Sequence, residues 1–240
     1  MKKKNFIILI LILILIMCLG GYLLVRKDKN SSLPKPELTG GERGKLGIDK
    51  NINEKTLDNY LERKDTVYHD VRMIDDPADW SKIVEDGDKI TGIVKGFSVI
   101  PYPYLASFTD EYKANLTKQF GFTDFYSGPS LYKDNGDGTY TANYKESLSI
   151  LKYYFPKDKN IFLMCGGGGY AGKTKELLIA LGWDKNKIYD VGGYWYYNGK
   201  NKIDILTKVN GKKTFNFWKI PTYNIDFNSL TRNFVWKRNY

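Results

Sequence analysis

The sequence predicts an α/β fold: a mainly parallel central sheet with helices on both faces, one N-terminal transmembrane helix and a β-rich C-terminal extension. Three observations lead there. In the second half of the chain, apolar runs of strand length alternate with segments of helical period, as a parallel sheet with crossover helices requires. An unbroken apolar stretch of 20 residues, Phe6 to Val25, follows Lys2, Lys3 and Lys4. The last segment, 203–240, is aromatic and strand-like, with Asn210-Gly211 as a hairpin turn.

Taken in order, Phe6–Val25 spans roughly 30 Å of hydrocarbon at the helical rise, and Arg26, Lys27 and Lys29 close it. A cleaved signal would have a shorter apolar region. Met17 precedes Cys18, where a lipoprotein signal wants a small residue. Residues 1–26 therefore read as an uncleaved anchor or signal in contact with membrane lipid. A short lysine-led N-terminus stays inside, which places the following domain on the extracytoplasmic side of a single-pass membrane protein. Residues 27–45, rich in serine, proline, glycine and charge, read as a flexible linker. A domain fills 46–202, with an insertion near 107–144, and 203–240 extends it.

Within the domain, Leu57 to Arg63 predicts a short helix and Val67–Val71 a buried strand. Ile93 to Ile100 contains a second, shorter strand, stopped by Pro101 and Pro103. The run Asp134-Asn135-Gly136-Asp137-Gly138-Thr139 resembles a calcium loop. Its spacing fails, because Lys133 falls where the first acidic ligand belongs. A hairpin turn between Tyr132 and Tyr140 fits instead. Lys145 to Tyr154 has helical period, with Leu148, Leu151 and Phe155 on one face. Then come a strand at Ile161–Met164, a loop from Cys165 to Gly172, a helix from Lys173 to Leu181 stopped by Gly182, and a strand at Lys187–Val191.

The net charge is +10, but acidic residues interrupt the lysines almost everywhere. No basic stripe or reader motif points to nucleic acid. With one histidine, His69, a zinc site is not expected. Neither a metal nor a cofactor is implied. His69 lies in an apolar strand and reads as a packed, hydrogen-bonded residue. Cys18 belongs to the apolar run, so Cys165 is the one thiol of the folded domain and no disulfide framework exists.

The glycine loop can be read in two ways. Gly167 to Thr174, GGGYAGKT, matches the phosphate-binding pattern GxxxxGK[ST], with strand before and helix after. Only 66 residues follow Thr174, too few for the further strands and metal-binding aspartate of such a nucleotide-binding fold. The other reading starts from Cys165 at the C-terminal end of a strand, the edge where parallel sheets place ligands. Successive backbone N–H groups and the positive end of a helix favour thiolate there. Glycines let the backbone approach the sulfur.

Four segments in order resemble the rhodanese family of sulfurtransferases. They are Val67-Tyr68-His69-Asp70-Val71-Arg72, Thr91 to Phe97 running on to Ile100-Pro101, the loop Cys165 to Ala171, and Leu181-Gly182-Trp183 with Ile188-Tyr189 and Gly192-Gly193-Tyr194. The resemblance covers roughly Ile52 to Gly199. It implies that Cys165 is the catalytic nucleophile and carries a persulfide. The backbone of Gly166, Gly167, Gly168, Gly169, Tyr170 and Ala171 would bind the transferred sulfur. Asp70, Arg72 and Lys173 are supporting residues, with Lys173 able to lend a positive charge. The implied partners are a sulfur donor and a nucleophilic acceptor. Many active members carry a polar or basic residue at the positions of Gly166 and Tyr170, and a tryptophan near Tyr197. Their absence here implies a weakly charged or protein-bound donor. A rhodanese-like binding or scaffolding module at the membrane is the alternative.

Overall fold

The computed structural model describes residues 32–38, 47–74, 91–121 and 125–233. The expected anchor, Cys18 and most of the expected linker lie outside the described residues. Among the described residues, no helix is long and apolar enough to cross a membrane. Everything that follows concerns the unit Lys35–Tyr240.

Strand β1 covers Thr66–Asp70, whose branched and aromatic side chains suit a pleated, buried surface. The short strand expected within Ile93–Ile100 is two separate pieces. Lys95 and Gly96 turn the chain, Gly96 at φ +92, and leave β2 (Gly92–Val94) and β3 (Ser98–Val99). Pro101 also opens a helix, because Pro103 sits in the first turn of α1 (Tyr102–Leu105), where a missing N–H costs nothing.

The expected insertion holds α2 (Asp110–Phe120), capped by the Thr109 hydroxyl, which accepts the Tyr112 N–H. It also holds the expected hairpin, β4 (Tyr132–Asp134) against β5 (Tyr140–Ala142). Helix α3 spans Ser147–Tyr154, with Leu151 and the following Phe155 buried. Leu148 departs from its expected place on that face. It sits in the first turn and remains 40% exposed. Strand β6 (Asn160–Cys165), α4 (Gly169–Ala180) and β7 (Ile188–Gly193) complete the central unit.

The fold is mixed α/β around a four-stranded parallel sheet of order β3-β1-β6-β7, with four α-helices among the described residues. On one face, Ile161 and Leu163 of β6 join one apolar cluster with Leu151, Phe155, Leu177 and Leu178. Each such side chain contributes about 1.5–3 kcal/mol by leaving water. On the other face, Tyr68, Phe162 and Tyr189 stand opposite one another on successive strands, with centroids 5.3 and 5.1 Å apart. The Tyr68 hydroxyl donates to the Tyr60 carbonyl of a single 3₁₀ turn, Leu57–Tyr60, shorter than the expected helix.

The C-terminal extension is strand-like only in part. Strand β8 (Lys202–Asp204) pairs with β2, and β9 (Leu206–Val209) turns through Asn210-Gly211 into β10 (Lys212–Phe215). Both turn residues have positive φ, as a tight hairpin needs. Beyond them the chain forms 3₁₀ turns, and Thr222 bridges to Val99 of β3. The extension thereby occupies the open edge of the sheet.

His69 is the packed residue the sequence implies. Its Nε2 lies 2.7 Å from the Tyr154 carbonyl and its ring 4.6 Å from that of Phe155. Burial holds its pKa down, to about 4 from an ordinary 6.5. The folded state therefore disfavours the charged ring. Its neutral-form contribution is whole above pH 6.5 and is lost as pH falls through about 4. A loss of about 3 kcal/mol across that window is expected from urea midpoints. The same loss in His69→Phe would assign it to other groups.

Candidate active site

Cys165 ends β6. Gly166, Gly167 and Gly168 follow, and Gly168, at φ +104, is the N-cap of α4. The helix begins at Gly169, four residues before the Lys173 start expected from sequence, so the loop is only three residues long. Its tightness aims backbone N–H groups at the sulfur. Gly168 N–H donates to Cys165 Sγ at 3.0 Å, and the Ala171 N–H also hydrogen-bonds the sulfur.

Long-range contacts explain why glycine is needed. A Cβ on Gly166 would lie 2.6 Å from the Trp195 ring, and one on Gly193 would lie 2.1 Å from the Gly166 carbonyl oxygen. Trp195 N–H donates to that same oxygen at 3.1 Å. The end of β7 thus clamps the loop through Gly193 and Trp195. Sequence reasoning noted Gly192-Gly193-Tyr194 and missed a tryptophan near Tyr197, passing over Trp195 two residues before it. Tyr112, from the insertion, is the other residue it missed. A Cβ on Gly169 would lie 3.5 Å from the Tyr112 hydroxyl.

The electrostatics correct one expectation. Cys165 is 3% exposed, and its thiol is pushed up to about 11, by burial first and by the Asp190 carboxylate next. The Ala171 and Gly168 N–H groups pull the other way, and Asp70 adds to the rise. Desolvation outweighs the backbone dipoles, so the resting group is a thiol rather than the expected thiolate. Alkylation by iodoacetamide should quicken about tenfold per pH unit up to about 11. A plateau below pH 9 would show an activated thiolate instead.

Asp70 and Arg72 form the expected ion pair. Arg72 Nε donates to Asp70 Oδ1 at 2.9 Å, and Arg72 Nη2 donates to the Gly92 carbonyl at 2.8 Å. The guanidinium also lies 4.4 Å from the Tyr194 ring centroid. The pair ties the end of β1 to β2 and to the residue after Gly193. Asp190, fully buried, accepts the Gly192 N–H at 2.9 Å. Lys175 is buried and held below its ordinary range by desolvation, against the pull of Asp190 and Asp49.

One expected contributor sits elsewhere. Lys173 Nζ lies 3.1 Å from Glu176 Oε2 and 3.6 Å from Asp134 Oδ2, and 5.2 Å from the Tyr112 ring centroid. Its charge goes to the insertion hairpin and not to the loop. The Tyr170 ring packs on Tyr102 and Phe108, at 5.7 and 5.6 Å. Among the described residues, no group of three or more His, Cys, Asp or Glu side chains could hold a metal ion. The chain matches no family model, no curated protein and no solved structure.

Proposed function

We propose that this chain is a membrane-anchored, rhodanese-like sulfurtransferase that carries sulfur as a persulfide on Cys165. The observation that carries the reading is the sulfur itself. It stands at the C-terminal end of a parallel strand, within the N–H groups of Gly168 and Ala171 at the start of α4. Such a cradle suits an anionic sulfur chain.

Cys165 loses its proton and attacks the outer sulfur of a donor R–S–SH. The new S–S bond forms as the donor's S–S bond breaks, and R–S⁻ leaves with the electron pair and takes up the proton. No external oxidant or reductant is needed. The terminal sulfur then rests against the backbone of Gly166 to Ala171. A nucleophilic acceptor attacks it and returns Cys165 to the thiol. A weakly charged donor fits best, because Asp190 and Asp70 act on the sulfur while Arg72 and Lys173 are engaged with carboxylates.

With inorganic polysulfide as donor and cyanide as acceptor, the full chain should produce thiocyanate faster than the two reagents do without protein, and Cys165→Ser should not exceed that uncatalysed rate. Equal turnover by the serine variant would remove Cys165 from the chemistry. A second reading, a binding module with an inactive loop, draws on Trp218 and Val209 of the extension, 80% and 60% exposed. It predicts no turnover by either chain.

A further inference from the structure

We infer that Trp195 and Tyr112 form an aromatic slot over the Cys165 loop that binds the organic group of an uncharged persulfide, R–S–SH, with R apolar or aromatic. The inference rests on the sulfurtransferase reading and names its donor class. Its ground is the run of four glycines. A Cβ on Gly166 would lie 2.6 Å from the Trp195 ring, one on Gly167 3.4 Å, and one on Gly169 3.5 Å from the Tyr112 hydroxyl. Gly168 takes the left-handed turn. Gly166 is therefore a seat for the Trp195 ring, and Gly167 and Gly169 lie in ordinary contact range of Trp195 and Tyr112, on either side of the residue that donates to the sulfur.

Both aromatic residues are half-buried, so each offers surface to solvent as well as to the loop. Tyr112 is held from behind by the Phe108 ring at 5.8 Å. Cys165 is close enough to Tyr112 that an anionic sulfur there would oppose ionisation of the phenol. The charges around the sulfur complement no dianion. Asp190 and Asp70 act on it, Arg72 is held by Asp70, and Lys173 by Glu176 and Asp134. An inorganic dianion such as thiosulfate would meet aromatic faces and carboxylates. An organic persulfide would lay its R group on the rings, where an aromatic contact contributes about 0.5–1.5 kcal/mol. The transfer balances as Cys165–SH plus R–S–SH giving Cys165–S–SH plus R–SH.

The test compares benzyl persulfide, inorganic polysulfide and thiosulfate as donors to the full chain, reading the rate of Cys165 sulfuration by intact mass. The wild-type chain should favour benzyl persulfide. Trp195→Ala keeps the backbone N–H that holds Gly166, and should lower the benzyl-to-polysulfide ratio about tenfold through KM. Trp195→Phe should restore most of it, and Tyr112→Ala should lower the same ratio. An unmoved ratio, or equal slowing with every donor, would reduce both residues to supports of the loop and overturn the slot. If no donor adds sulfur to the wild-type chain, the sulfurtransferase reading itself fails and the slot falls with it.

Discussion

Replacing Asp70 by alanine should destabilise the domain by about 3–5 kcal/mol, the cost of leaving a buried charge without its partner. Arg72 is 4% exposed and cannot reach water without moving β1. Without the carboxylate, its guanidinium keeps the Gly92 carbonyl and the Tyr194 face, which do not neutralise it. Urea unfolding reads the loss directly as a lower midpoint at unchanged slope. The double variant Asp70→Leu, Arg72→Met should recover much of the stability, because both charges are then gone. A loss below about 1 kcal/mol in the single variant would place the pair in water, in the range of surface ion pairs.

The second large effect is expected at Gly193→Ala. The new methyl would fall 2.1 Å from the Gly166 oxygen and 2.7 Å from the Gly167 Cα, both backbone atoms. No side-chain rotation relieves that contact, so β7 and the loop must separate. Overpacking of this kind costs about 1–3 kcal/mol. The larger consequence is chemical, since the Gly168 N–H loses its alignment on the sulfur. Loss of one such donor costs about a hundredfold or more in rate. Sulfuration of Cys165 should fall by that factor while the variant still melts cooperatively. By contrast, Gly167→Ala meets the Trp195 ring at 3.4 Å and should cost little. A Gly193→Ala chain that takes up sulfur at the full rate would mean that β7 does not hold the loop.

What could be read from the sequence was whatever local pattern decides. The apolar runs at Thr66–Asp70, Asn160–Cys165 and Ile188–Gly193 became the three long strands of the parallel sheet. Asn210-Gly211 and the glycine-rich turn after Asp134 became hairpins. Periodicity could not see the break at Lys95-Gly96, because one glycine at positive φ reverses the chain without changing the apolar pattern. The helix start was misplaced for a related reason. Glycines 166–169 argue against helix by propensity, yet Gly169 is helical.

Within the candidate site, the place of Cys165 at a strand end and the pairing of Asp70 with Arg72 were legible, because a local rule applies at strand ends. The protonation of Cys165 was not, because the expectation weighed the helix dipole without the burial that outweighs it. Lys173 was placed at the loop as a first-turn residue of the expected helix, whereas Glu176 and, from far along the chain, Asp134 hold it. Trp195 and Tyr112 reach the loop from the turn after β7 and from the insertion. Nothing local to either residue marks that contact.

The most direct test of a sulfur-carrying Cys165 is the intact mass of the full chain, with Cys18→Ser removing the other thiol, after exposure to a polysulfide donor. The expected result is a gain of one sulfur atom, removed by thiol reductant and absent from Cys165→Ser. An unchanged mass with the thiol intact, or the same adduct on the serine variant, would contradict it.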